Sequence, residues 1–86
     1  MDSQELLDSI TLKISQILHL SYGQIDKNQL VVLYSQLHII FGGNEEHMRL
    51  WLNTHNKNLN FCPAAYLTDN NYLKKIIKYL DSLILK

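Results

Sequence analysis

A single cysteine, Cys62, excludes an internal disulfide and a structural zinc site built on thiolates. Such sparing use of thiols fits a reducing compartment, so a cytoplasmic location is expected. One proline and three glycines in 86 residues leave little chain for loops. No low-complexity tract, internal repeat or linker marks off a second domain. No stretch approaches the roughly 20 apolar residues of a membrane span. The start, Met1-Asp2-Ser3-Gln4-Glu5, lacks the basic residues and apolar run of a secretory signal. Neither sign of charge prevails: eight basic and eight acidic residues give a formal net charge of zero. No global field therefore draws the chain to nucleic acid or to an anionic membrane.

What is present is apolar. Hydrophobic residues make up 47% of the chain and charged ones 19%, the balance of a compact globule rather than a disordered segment. At this length folding removes only roughly 60 to 65 per cent of the unfolded chain's surface from water, so the stability margin is thin. One domain over 1–86, built from helices, is the economical solution.

The spacing predicts four to five helices. Leu6, Leu7, Ile10, Ile14, Ile17 and Leu18 recur at helical intervals, with Gln4, Asp8, Lys13 and Gln16 opposite, so an amphipathic helix runs to about Leu20. Asp2 or Ser3 can cap it, with Glu5 in capping-box position, and Ser21-Tyr22-Gly23 breaks the pattern. Asp26, with Gln29 three residues on, opens a second helix through Phe41 whose apolar side chains point nearly all round. So few other elements can hardly cover such a helix, which predicts that part of it, with Leu30, Leu33, Tyr34, Leu37 and Phe41, meets a second subunit in a homodimer. Its Val and Ile content suits a buried strand as well, but its length and caps favour helix. Gly42-Gly43 ends it, and Asn44 caps a third helix carrying Met48, Leu50, Trp51 and Leu52. Pro63 to Leu67 reads as one short helical turn. Asp69 caps a last helix with Tyr72, Leu73, Ile76, Ile77, Leu80, Leu83 and Ile84 inward and Lys74, Lys75 and Lys78 outward.

Side chains with chemical potential do not assemble into an active site. His19, His38, His47 and His55 lack the i, i+4 pairing of a zinc helix, so no metal or cofactor is expected. His38 reads as a hydrogen-bonded core or interface residue and His47 as a surface one. Cys62 and His55 have no third group to complete a nucleophile and base, so no catalysis is expected. Gly42-Gly43 lacks the strand context of a phosphate loop. Lys74, Lys75 and Lys78 with Tyr72 and Tyr79 would suit single-stranded nucleic acid, although such a face is more often simply solvated. More telling is the stretch after Trp51, a polar loop with Asn53, Thr54, His55, Asn56, Asn58 and Asn60. Asparagine carries donors and acceptors together and can read another protein's surface, or it can simply cap and turn the chain.

The series Gly42-Gly43-Asn44-Glu45-Glu46-His47-Met48-Arg49-Leu50-Trp51-Leu52-Asn53-Thr54-His55-Asn56-Lys57-Asn58-Leu59, followed by Pro63-Ala64 and Tyr79-Leu80-Asp81, resembles the toxin-binding domain of Xre/MbcA/ParS antitoxins. The likeness spans 30–83, with 1–29 an N-terminal helix and link. It implies a binding protein that neutralises a RES-domain toxin, an NAD-consuming enzyme, by covering its active site, and it implies dimerisation. Carried over by position, Trp51 would buttress the loop, Asn53 to Asn58 and Pro63 would lie in the functional stretch, and Tyr79 to Lys86 would approach the toxin. Antitoxins of this type often carry an N-terminal helix-turn-helix. Here one helix and a short link precede Leu30, leaving no recognition helix, and DNA binding is not expected. Asn60, Phe61 and Leu85 stand where the family has glycines in the loop and tail. The alternative functions are an interaction or scaffold module that keeps the fold without a toxin and, behind it, a DNA-associated regulator.

Overall fold

The computed structural model describes residues 3–20 and 24–85. Four helices follow one another: α1 (Ser3–Leu18), α2 (Lys27–Phe41), α3 (Glu45–Leu52) and α4 (Asn70–Ile84), with a 3-10 turn at Pro63–Tyr66 between the last two. The all-α bundle is as the periodicity predicts. Asp2, Ser21-Tyr22-Gly23 and Lys86 lie outside the described residues.

The helix boundaries are chemical. Asp26 accepts a hydrogen bond from the Gln29 N–H at 2.9 Å, Asn44 from His47 at 3.0 Å and Asp69 from Asn71 at 2.9 Å. Each cap satisfies a donor that the first helical turn leaves without a partner. At its other end α2 stops because Gly42 and Gly43 adopt φ of 59° and 82°, a left-handed turn that glycine enters without a Cβ penalty. There the Gly43 N–H donates to the His38 carbonyl at 3.0 Å. Helix α1 ends at Leu18, earlier than its apolar pattern suggests, because His19 turns left-handed at φ 56°. The Leu20 N–H then folds back onto the Ser15 carbonyl at 2.8 Å.

Helix α2 lies at the centre and packs against the other three. Leu30, Leu33 and Leu37 on α2 share one core with Leu73, Ile76 and Leu80 of α4, Ile14 and Leu18 of α1, and Met48 and Leu52 of α3. The Gln36 amide donates to the Ile77 carbonyl at 2.9 Å across the α2–α4 contact. On the α1 side two small polar residues, Thr11 and Ser15, are buried. Their hydroxyls bond back to the carbonyls of Leu7 and Leu12 at 2.9 and 2.8 Å, so no donor is stranded. The Arg49 guanidinium reaches from α3 to the Ile17 carbonyl at 2.8 Å, and Lys27 is paired with Asp8 across the start of α2.

Three sequence expectations need correction. Leu30, Leu33 and Leu37 are 1%, 0% and 0% exposed within the single chain. They are therefore internal core and not available to a second subunit; Tyr34 and Phe41 are half-buried. What α2 turns outward is Val32 and Ile39, because helices on three sides cover only the Leu30–Leu33–Leu37 stripe. Leu6 and Ile10, assigned to the buried side of α1, are exposed, as is Leu50. The apolar stripe of α1 is wider than its contact with α2 and α3. His38 is not in the core, one of the two places expected for it, but exposed on the single chain, its ring 6.0 Å from that of Tyr34.

A candidate protein-binding surface

The loop that follows α3 is built largely by its own polar residues. Asn53 caps α3, its side-chain amide donating to the Arg49 carbonyl at 2.7 Å, and the Thr54 hydroxyl takes the Leu50 carbonyl at 2.6 Å. Both add a second donor to last-turn carbonyls that also accept from the Asn53 N–H. Asn56 is the keystone. Its Oδ1 accepts from the N–H groups of Asn58 and Leu59 at 2.9 and 3.0 Å, an Asx turn. Its backbone pairs with Phe61 in an isolated antiparallel bridge, N–H to carbonyl 3.1 Å. Asn60 takes φ 68°, a left-handed position asparagine tolerates. Pro63 then starts the 3-10 turn and is itself buried, with the Cys62 Sγ donating to the Leu52 carbonyl at 3.3 Å.

One contact joins this loop to the last helix: the Asn58 amide donates to the Tyr79 hydroxyl at 2.9 Å. Through it the exposed segment of Asn53, Thr54, His55 and Asn58 becomes continuous with the outer side of α4. At the α3 end lies an almost wholly apolar hollow of about 270 Å³ between Phe41, His47, Leu50, Trp51 and Thr54. Trp51 is half-buried and packs on the core, so it supports both hollow and loop. Leu50, 66% exposed, stands at its edge. Of the residues read from sequence, the structure brings Asn58 to Tyr79 and Trp51 to Thr54, with Asn53, His55 and Asn56 in the loop between. Pro63 is buried at the start of the 3-10 turn, and Lys86 lies outside the described residues.

Sequence reasoning missed two features. Phe41, His47 and Leu50 come from two helices and meet only because Gly42 and Gly43 turn the chain sharply. Phe61, Tyr66 and Tyr72 form an aromatic cluster, with Tyr66 stacked on Tyr72 at 4.4 Å between centroids and Phe61 edge-on to both at 5.1 Å. The Lys75 ammonium lies 5.2 Å from the Tyr72 ring centre. The signal available was the placing of Tyr66 and Tyr72 on either side of the Asp69 cap.

Among the described residues no three His, Cys, Asp or Glu side chains gather where they could hold a metal ion, and no helix is long and apolar enough to cross a membrane. Compared with protein-family models, curated proteins and solved structures, the chain matches none.

Proposed function

We propose that this protein acts by binding, as an antitoxin-like module that covers the active site of a RES-type, NAD-consuming toxin. The observation that supports the reading is the Asn58–Tyr79 hydrogen bond. It joins the Asn-rich loop and the terminal helix, the two segments the family likeness points to, into one surface. Beside them the apolar hollow at Trp51 offers an anchor site for a partner's side chain, with polar groups around it. That combination of an apolar centre and polar rim is how protein interfaces are built.

Co-expression with a RES-domain toxin, followed by co-purification and an NAD-consumption assay, tests the proposal. A stoichiometric complex with suppressed NAD loss is the expected result. Absence of a complex would overturn the antitoxin role. A complex in which NAD loss continues unchanged would favour the scaffold reading.

A further inference from the structure

We infer that the aromatic hollow between the 3-10 turn and the start of α4 takes a base of a single-stranded nucleic acid, with the adjoining phosphates on the lysines of α4. The inference does not rest on the toxin reading. Phe61 from the loop, Tyr66 from the 3-10 turn and Tyr72 from α4 bring three rings together. Tyr66 is stacked on Tyr72, and Phe61 stands edge-on to both. The rings that join Tyr72 are thus these two and not Tyr79, whose hydroxyl takes the Asn58 amide. Phe61 packs on the core, whereas Tyr72 is half-buried and Tyr66 is 38% exposed. The stack therefore reaches the surface.

These three rings, with Leu59, Asn60 and Lys75, line an open hollow of about 260 Å³. The Lys75 ammonium is held close to the Tyr72 ring. Asn60, in its left-handed turn, makes no side-chain hydrogen bond to any described residue. A nucleobase uses each of these: rings to stack on, an amide with donor and acceptor for its edge, and an ammonium for the phosphate beside it.

The zero net charge conceals a division along the chain. Residues 1–56 hold six acidic residues against three basic ones, and residues 57–86 hold five lysines against two aspartates. The cluster falls in the basic part. Lys75 and Lys78 follow Tyr72 at successive three-residue steps, and with Lys74 they are exposed. Phosphates following a stacked base would meet them. Asp69, between Tyr66 and Tyr72 in the chain, turns its carboxylate to the start of α4, accepting from the Asn71 and Tyr72 N–H groups at 2.9 and 3.4 Å. A duplex keeps its bases stacked within itself and has none to offer the hollow, so the strand is single. An acidic peptide would engage the lysines and leave the rings unused.

Fluorescence anisotropy at low salt tests the inference, with labelled DNA and RNA strands of one sequence, the corresponding duplex, and an abasic DNA strand of equal length. The single strands are expected to bind, and the ratio of DNA to RNA affinity tells which source of this shared chemistry is preferred. The abasic strand keeps its phosphates but should bind at least about tenfold more weakly, as should the duplex. Tyr66→Ala should weaken binding about tenfold, while Tyr66→Phe, which keeps the ring, should retain it. Lys75→Gln should lower the affinity and reduce the slope of log affinity against log salt by about 0.7. Because Tyr66 is partly exposed, the far-UV circular dichroism of Tyr66→Ala should match wild type. If that variant unfolds, the abasic strand and Lys75→Gln supply the same readout. No binding of either single strand, an abasic strand or acidic peptide that binds as tightly as the normal strand, or a folded Tyr66→Ala with unchanged affinity would each overturn the proposal.

Discussion

The Asn58 amide and the Tyr79 hydroxyl form a hydrogen bond across the surface between loop and α4, where solvent competes with it. Tyr79→Phe should therefore lower stability by only about 1 kcal/mol, measured by urea unfolding, while freeing the loop and weakening any toxin complex. A toxin affinity unaltered by that variant would separate the loop from recognition. Asn56 accepts two backbone donors in the same loop, so Asn56→Ala should cost more than Tyr79→Phe in the same assay. Gly42 presents a different problem, since a Cβ there meets no atom within 4 Å but must adopt φ 59°. Gly42→Ala is expected to cost on the order of 1 kcal/mol from backbone strain alone, detectable as a lowered melting temperature. The caps Asp26, Asn44 and Asp69 were legible in the sequence because capping is local, decided within three residues of chain. The pair of hydrogen bonds accepted by Asn56 was not, because asparagine in a loop is equally suited to turning the chain and to facing a partner.

At the scale of helices, α2 is the element on which the others converge. Leu33 and Leu37 are completely buried between it and its neighbours, so Leu37→Asp should unfold the chain rather than yield a folded monomer. Loss of the helical circular dichroism signal, not merely of a dimer, is the expected outcome. Helix α1 is held partly by charge. The Lys27 ammonium bonded to Asp8 holds its carboxyl below the usual carboxylate range; slight desolvation works against this, and the Lys27 charge and the Gln4 amide add to it. A depressed carboxyl contributes stability that is present above its unfolded pKa and is lost as pH falls through its folded one. The pair should thus support α1 at neutral pH and begin to lose that support as pH falls below about 4, the loss completing only below the depressed folded pKa. In Asp8→Asn that part of the acid dependence should vanish, with a small effect at pH 7 that shrinks further in high salt. The period of the apolar residues told which segments are helices, but not which part of a wide apolar stripe is covered. Leu6, Ile10 and Leu50 belong to helical stripes and still face water, because neighbouring helices reach only a portion of each.

For the molecule as a whole, the loop after α3 borders the Trp51 hollow at Thr54 and meets the terminal helix at Tyr79. Leu83 packs on the core while Leu85 is 78% exposed beyond the end of α4. Removing Leu85 and Lys86 should therefore leave the fold and its melting temperature intact and, under the proposed antitoxin role, weaken toxin inhibition, whereas a deletion extended through Leu83 should also reduce stability. Equal loss of inhibition and of stability in the shorter deletion would assign the tail to packing. The helical class, the caps of α2, α3 and α4 and the turn at Gly42-Gly43 were all determined by the sequence itself, since each depends on residues near one another along the chain. Only tertiary structure decided that Leu30, Leu33 and Leu37 face inward, that Val32 and Ile39 do not, and that Asn58 meets Tyr79. The reason is that burial and long-range hydrogen bonds depend on which helices lie against which faces, and a helix that is apolar nearly all round carries no mark of the side its neighbours will take.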